Sequence, residues 1–242
     1  ASAYHDPRES SELADLGLTF LHVPGHTPGN FLIHWEAQGG VLFTDLVTAY
    51  RAETLERSKT DEPFRRLRLN SQEQTLNVAQ LCRAFGLRFK EASLLNAKQA
   101  LRQAERLGRI NITEGTKGGR GKGADRWVPV SQHQIQLLKE AAQMQGNQSN
   151  LILPDKSYIQ WRDHAYYHWR TVNNGTGIRG FHDLRAAYAC ERYLELTGVP
   201  APVVNGMRHA DKGLDTQARV ILSQELGHNR LDVIAAYIGS GK

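Results

Sequence analysis

The feature that most constrains the fold is one predicted β-hairpin in the middle of an otherwise helical pattern. Arg109–Thr113 and Arg126–Val130 alternate between polar and apolar side chains, as strands do. The segment between them is basic and contains five glycines: Gly115, Gly118, Gly119, Gly121 and Gly123. Two strands this close along the chain pair antiparallel, so the flanking helices must pack around one small sheet. The sequence therefore predicts a mainly α-helical fold with a small antiparallel β-hairpin.

Apolar residues at helical spacing define the elements around this hairpin. The predicted helices cover Ser71–Phe85, Lys90–Leu107, Gln132–Gln145 and, approximately, residues 157–171, 181–196, 214–226 and 230–238. Gly86 breaks the first helix and Gly108 caps the second. The segment 161–170 mixes aromatic with basic residues and could contact a DNA backbone. We favour the alternative, a helix that buries Trp161, Ala165 and Trp169.

The distribution of charge divides the chain near residue 50. Residues 1–50 hold one basic and six acidic residues, a net charge of −5, whereas the rest carries +10. Short strands are predicted at Leu16–Val23, Asn30–Trp35 and Gly40–Asp45. The sequence therefore predicts a short β-rich segment over residues 1–55 and a separate basic domain over 56–242. Such a domain favours a polyanionic partner, nucleic acid first, although a solvated basic surface fits the charge equally well.

Several classes of protein are excluded by composition. The two cysteines, Cys82 and Cys190, rule out a disulfide framework and a Cys-rich zinc site. Both lie in helical segments and are expected to be buried as small apolar residues. No run approaches the roughly 18 apolar residues that a membrane span needs, and no signal-peptide pattern is present. We therefore expect a cytoplasmic protein that does not associate with membranes.

Five short motifs combine residue types that suit phosphodiester chemistry. In chain order they are Gly86-Leu87-Arg88-x-x-Glu91, the hairpin loop with Lys117, His182-x-x-Arg185, Leu226-Gly227-His228, and Tyr237. Each has an ordinary structural explanation by itself. Arg88 could form a local ion pair with Glu91, and Tyr237 could be a core residue on a helix. His182 and Arg185 share a helix face and can address one target.

The order and spacing of these motifs resemble the tyrosine recombinase (phage integrase) family over roughly residues 60–242. The resemblance implies a site-specific recombinase in which Tyr237 attacks DNA and forms a covalent 3′-phosphotyrosine, leaving a 5′ hydroxyl. It implies double-stranded DNA as partner, a homo-oligomer on DNA (a synaptic tetramer) and a nucleoid-associated location. No metal or nucleotide cofactor is expected, because the covalent bond stores the energy of the bond that was broken.

The resemblance also implies a role for each matched residue. Arg88 and Arg185 would hold the non-bridging phosphate oxygens and stabilise the charge of the transition state. His182 would act as an acid or base near Tyr237, and His228 would donate a hydrogen bond to the phosphate.

Basic residues of the hairpin complete the set that the resemblance implies. Lys117 matches the general acid that protonates the leaving 5′ oxygen, and Lys122 on the same loop is the alternative. The residues predicted to bind DNA are Arg120, Lys122, Arg126 and Arg208.

Three departures from the family pattern leave alternatives open. Arg185 and His228 are 43 positions apart, more than the family leads us to expect, with the surplus in Gly198–Ala218. That segment could touch DNA or a neighbouring subunit, or be a neutral surface insertion. The resemblance also leads us to expect a tail after Tyr237 and a DNA-clamping helical domain before the catalytic domain, and the sequence pattern shows neither. The alternatives are therefore a catalytically inactive DNA-binding remnant, or a type I topoisomerase with the same phosphotyrosine chemistry.

A second, shorter resemblance lies in the acidic segment. The run from His22 to Asn30, followed by Leu42-Phe43-Thr44-Asp45, resembles part of the metallo-β-lactamase superfamily over about residues 16–48. There His26 would be a zinc ligand and Asp45 a metal-bridging carboxylate. Zinc needs three or four protein ligands, and the superfamily's His-x-His-x-Asp-His motif is absent. We expect a truncated remnant without a metal; the alternative is a zinc-dependent hydrolase fragment.

Overall fold

A computed structural model of the chain describes the strands at 18–22, 31–35 and 40–43 and residues 61–69, 72–116, 125–174, 176–228 and 230–240. The chain divides into two compact units, Ala1–Arg57 and Ser58–Lys242. In the described part of the chain, no helix combines the length and apolar character needed to cross a membrane.

The first unit contains a three-stranded antiparallel sheet, in the order β1-β2-β3. Its strands are β1 (Leu18–His22), β2 (Phe31–Trp35) and β3 (Gly40–Phe43). In the central strand, Ile33 lies opposite Phe20 of β1 and Leu42 of β3. The predicted strands are therefore present. The proposed metal ligands His26 and Asp45 lie outside the described residues.

The second unit is mainly helical. It consists of α1 (residues 61–69), α2 (Glu73–Phe85), α3 (Phe89–Ser93), α4 (Ala97–Leu107), β4 (Arg109–Asn111), β5 (Trp127–Pro129), α5 (Gln132–Gln145), α6 (Tyr158–Val172), α7 (Phe181–Thr197), α8 (Pro202–Asn205), α9 (Lys212–Glu225), a 3₁₀ helix (Asp232–Ile234) and α10 (Ala235–Ile238). The two strands pair antiparallel, with Ile110 opposite Val128. The predicted fold, mainly α with a small antiparallel hairpin, is confirmed.

The core of this unit forms where α7 packs against α2, α9 and α10. On the neighbouring helix α6, Trp161, Ala165 and Trp169 are fully buried, as the sequence predicts. Their spacing of four residues places them on one face of the helix, so all three point into the core. Both cysteines, Cys82 and Cys190, are buried free thiols, which also agrees with the prediction.

An aromatic cluster lies directly behind two of the predicted site motifs. Phe89 stacks on Trp161 with a ring-centroid distance of 6.1 Å, and Phe181 lies 4.7 Å from Phe89. Phe89 follows Arg88 in the chain and Phe181 precedes His182. Because packed aromatic rings hold their backbone rigidly, the cluster fixes the beginnings of α3 and α7 relative to each other.

Polar side chains move several helix boundaries away from their predicted positions. The predicted helix Lys90–Leu107 is interrupted, because the side chain of Asn96 accepts a hydrogen bond from Gln99 N–H (3.0 Å) and starts α4. Helix α9 begins earlier than predicted, since the carboxylate of Asp211 caps its first N–H groups. The predicted helix over 230–238 is a 3₁₀ turn followed by one short α-helix. Helices α1 and α8 were not predicted.

Two helix-ending glycines allow a matched test of packing. Gly86 and Gly108 both adopt left-handed backbone conformations, with φ of 60° and 63°. A Cβ at Gly86 would overlap Tyr188 and Leu226, whereas at Gly108 it would meet no atom within 4 Å. We expect Gly86→Ala to lower the free energy of unfolding by about 2–5 kcal/mol, from backbone strain plus overpacking. Gly108→Ala should cost only about 1–2 kcal/mol. Equal losses in urea denaturation would contradict the packing argument.

Candidate active site

Four of the predicted residues reach one site from four separate elements. Arg88 is the N-cap residue of α3, Arg185 lies near the beginning of α7, and His228 follows α9. Tyr237 lies on the short helix α10. The backbone N–H of Arg88 donates to the carboxylate of Glu91 (2.7 Å), which completes a capping box and starts α3 at this position.

The hydroxyl of Tyr237 lies where these elements meet. It accepts a hydrogen bond from Arg185 Nε at 3.3 Å and lies 3.1 Å from His228 Nε2. A nitrogen of the second guanidinium, Arg88 Nη2, lies 3.4 Å from the same imidazole nitrogen. Guanidinium groups only donate hydrogen bonds, so His228 Nε2 is an acceptor in this arrangement. The phenol, one imidazole and two guanidiniums therefore converge on one small volume.

Arg185 is the centre of this arrangement and is fully buried. It donates to the backbone carbonyls of Gly86 and Leu226, and its Nη2 lies 3.1 Å from His228 Nε2. Burial, reinforced by the neighbouring positive charges of Arg126 and Arg88, lowers its pKa to about 10. The guanidinium therefore remains charged at neutral pH.

Glu91 is the negative counterpart of this cluster and has no exposed side-chain surface. Its carboxylate lies 2.5 Å from Arg88 Nη1, 2.9 Å from Arg126 Nη1 and 3.6 Å from Arg185 Nη1. Burial by itself raises the pKa of Glu91, but the three guanidiniums outweigh it and the net pKa is lowered. One carboxylate among three guanidiniums leaves an excess of positive charge, which suits an anionic ligand such as a phosphodiester.

Both predicted histidines lie beside Tyr237, in different relations to its hydroxyl. Burial, followed by the charges of Arg185 and Arg88, lowers the pKa of His228 to about 4, so it is neutral at pH 7. The His182 ring lies 5.4 Å from the Tyr237 ring, and its pKa is lowered mainly by burial. The sequence assigns the acid or base to His182, whereas the structure brings His228 into hydrogen-bond distance of the hydroxyl.

A family model described as integrase matches residues 47–191, more than half of the chain. The chain belongs to the integrase family. The predicted resemblance to phage integrases of the tyrosine recombinase type is thereby confirmed. The matched range includes Arg88, the hairpin and Arg185, and it ends before His228 and Tyr237. No curated protein matches the integrase chain.

The predicted general acid and the predicted DNA-binding residues differ in whether the structure describes them and in how deeply they are buried. Lys117, Arg120 and Lys122 lie outside the described residues, so their roles stay predictions. Arg208 is half-buried, and its Nη1 donates to the carbonyl of Ala210 at 3.1 Å. Arg126, predicted as a DNA contact, instead lies inside the integrase domain with 6% of its surface exposed.

The alternating pattern of the second hairpin strand indicates the inward position of Arg126. Residues i and i+2 of a strand share a face, and Val128, two residues after Arg126, is fully buried. The alternating pattern of the hairpin therefore places Arg126 on the inner side of the strand.

A further buried network in the integrase was not predicted from the sequence. The carboxylate of Glu225 accepts hydrogen bonds from the Tyr188 hydroxyl (2.8 Å) and from Arg192 Nη2 (3.0 Å). Its backbone carbonyl accepts from Arg126 Nε (2.7 Å). This network anchors the end of α9 directly before the turn that carries His228. Tyr188, Arg192 and Glu225 are all ordinary helix-surface types, so no local motif identifies them.

The lowered pKa of His228 predicts how stability depends on pH. Between pH 6.5 and pH 4 the unfolded chain binds a proton at this histidine that the folded chain resists. The free energy of unfolding is therefore smaller at the lower end of this pH window and larger at the upper end. We expect the melting temperature to fall as the pH is lowered through it, and less steeply for His228→Gln.

A matched control is His164→Gln, which removes a half-buried histidine remote in sequence from the predicted site motifs, with a pKa also lowered by burial. Thermal unfolding at constant ionic strength provides the measurement. The pH dependence is not due to His228 if the melting temperature of His228→Gln falls with pH as steeply as that of the wild type while that of His164→Gln falls less steeply.

Proposed function

We propose that residues 56–242 of this integrase form a catalytic domain that cleaves and rejoins DNA strands with Tyr237 as the nucleophile. The observation that carries the proposal is the position of the Tyr237 hydroxyl, 3.1 Å from His228 Nε2 and 3.3 Å from Arg185 Nε. A tyrosine attacks phosphorus efficiently only when an acceptor takes its proton and a cation stabilises the developing phenolate. The two contacts supply both functions.

The two guanidiniums would bind the scissile phosphate. Arg88 retains 26% side-chain exposure, so an approaching phosphate can reach it. The donors of Arg185 that now meet Tyr237 and His228 would turn to the two non-bridging oxygens as DNA enters. Charge-assisted bonds of this kind strengthen when the transition state gathers negative charge.

The proposed reaction is a transesterification. The Tyr237 oxygen forms a bond to phosphorus while the bond from phosphorus to the 5′ oxygen breaks, leaving a 3′-phosphotyrosine and a 5′ hydroxyl. The tyrosine proton passes to an imidazole, and Lys117 protonates the leaving oxygen. Position favours His228 as the acceptor, whereas its lowered pKa makes it a weak base, and His182 is the alternative from the sequence. Rejoining reverses these steps, and the phosphotyrosine bond stores the energy of the broken bond, so the reaction as proposed requires no nucleotide or metal cofactor.

Membership of the integrase family supports DNA as the partner of this domain. Assembly of several copies on DNA is part of the proposal, because exchange of strands between two duplexes requires more than one nucleophile. The proposed nucleophile, both arginines and both histidines lie together in a single chain.

A nicked suicide substrate tests the proposed nucleophile. Such DNA loses its 5′ hydroxyl fragment on cleavage, so the covalent complex accumulates. We expect the wild type to form an adduct that denaturing electrophoresis detects, and Tyr237→Phe to form none while it still binds DNA, because only the phenol oxygen is removed.

The outcomes of this assay separate the alternatives. Tyr193→Phe removes the hydroxyl of another buried tyrosine, bonded to Asp215, and should retain the adduct. His228→Gln should slow adduct formation more than His182→Gln if His228 accepts the proton. DNA binding by the wild type without any adduct would favour the inactive DNA-binding remnant. An adduct that persists in Tyr237→Phe would assign the nucleophile elsewhere.

A sulfur-substituted substrate tests the proposed general acid. A 5′-bridging sulfur leaves without a proton, so it bypasses the acid. We expect Lys117→Ala to cut phosphodiester DNA about 100-fold or more slowly than the wild type, and the sulfur substrate at a near-normal rate. Lys122→Ala is the matched control on the same loop. Rescue by sulfur of Lys122→Ala alone would transfer the role to Lys122.

A further inference from the structure

Arg126 is a buried cation that the proposed chemistry does not use. It lies directly before β5, and its backbone N–H donates to the side chain of Asn111 across the hairpin (2.9 Å). Only 6% of its surface is exposed. A charged side chain is costly to bury unless specific partners satisfy it, so its contacts indicate what it does.

The Arg126 guanidinium joins two segments that carry site residues, the stretch 86–91 and the turn 225–228. Nη1 forms an ion pair with Glu91 at 2.9 Å without the alignment of a hydrogen bond, and Nε donates to the carbonyl of Glu225 at 2.7 Å. Nη2 lies 3.5 Å from the carbonyl of Gly86, at the outer limit of a hydrogen bond. Its aliphatic part packs on Gly227, where an added Cβ would lie 2.9 Å from Arg126 Cδ.

Each of these segments leads directly to a proposed catalytic residue. Gly86 precedes Arg88 by two positions, and Gly227 immediately precedes His228. The carbonyl of Gly86 is shared with Arg185, so the two guanidiniums converge on one backbone turn. A displacement of Arg126 would therefore move the supports of both sides of the phosphate site.

The ion pair between Arg126 and Glu91 also affects how much of the positive charge of Arg88 and Arg185 is available to a phosphate. Glu91 is shared by Arg126 and by Arg88 and Arg185, the two arginines proposed to bind phosphate. Without Arg126, the buried carboxylate would depend on those two alone and would compete with the phosphate for their N–H groups. Arg126 supplies a counter-charge whose Nε is held in place by the carbonyl of Glu225 at 2.7 Å.

We propose that Arg126 is a positioning residue for strand cleavage: it holds Glu91 and the turns at Gly86 and Gly227, so that Arg88 and His228 face the phosphate. It acts through these groups and does not contact DNA. This inference rests on the proposed function, because it assumes that the site cleaves DNA.

Two competing roles for Arg126 make different predictions. A direct contact with a phosphate would contribute to the salt dependence of DNA binding, and its loss would reduce the slope of log affinity against log salt by about 1. A role in folding alone would lower thermal stability and leave the cleavage rate of folded chains unchanged. A positioning role lowers the cleavage rate and leaves the salt slope unchanged.

The experiment compares Arg126→Met and Arg126→Lys with the wild type. We expect Arg126→Met to slow single-turnover adduct formation on suicide DNA by roughly 10- to 100-fold, with an unchanged salt slope of binding. Arg126→Lys retains the charge but cannot reach three partners, so an intermediate rate is expected even if Arg126→Met fails to fold. Arg83→Met is the matched control: it removes an ion pair of 2.5 Å with Glu191 on α7 and should cleave at about the wild-type rate.

The coupling between Arg126 and Glu91 is the decisive readout. If Arg126 acts through the carboxylate, Arg126→Met should slow cleavage much less in a Glu91→Gln background than in the wild type. Equal losses in both backgrounds, or a reduced salt slope, would overturn the inference. If Arg126→Met and Arg126→Lys both form the adduct at the wild-type rate, the inference about Arg126 is overturned and the proposed function stands. No adduct from the wild type would overturn the proposed function and the inference with it.

Discussion

The burial of one carboxylate among three guanidiniums is the constraint on which the rest of the site depends. Removing Glu91 from water costs several kcal/mol, and the positive charges around it must offset that cost. The cations come from different elements: Arg88 begins α3, Arg126 precedes β5, and Arg185 lies on α7. The cluster therefore forms only when the hairpin and both helices are in place. Because it retains a positive excess, it can also attract the phosphate that the proposed reaction requires.

The polar cluster depends in turn on an apolar support. Phe89 and Phe181 lie one residue from Arg88 and His182, and they pack on each other and on Trp161. Close-packed aromatic rings resist displacement, so the helix beginnings that carry the site residues are held rigidly. A site at the ends of rigid helices combines precise placement with access for a large ligand.

Local patterns account for most of what could be predicted. The alternation at Ile110 and Val128 predicted the hairpin, and the spacing of Trp161, Ala165 and Trp169 predicted a buried helix face. The interruption at Asn96 was missed, because a side chain that accepts a backbone N–H competes with the helix over only a few residues. Such competition is decided by small differences in energy that residue spacing does not reveal.

The sequence by itself determined the integrase family, the hairpin and the order of the site motifs, since these depend on residue types and spacing. Only the tertiary structure decided that His228 meets the hydroxyl of Tyr237 and that Arg126 meets Glu91 and the carbonyl of Glu225. Arg88 and His228 are 140 positions apart, and Arg185 and Tyr237 are 52 apart. The physical reason is that contacts over such distances along the chain arise from packing of whole elements, whereas sequence patterns report on neighbours within a few residues.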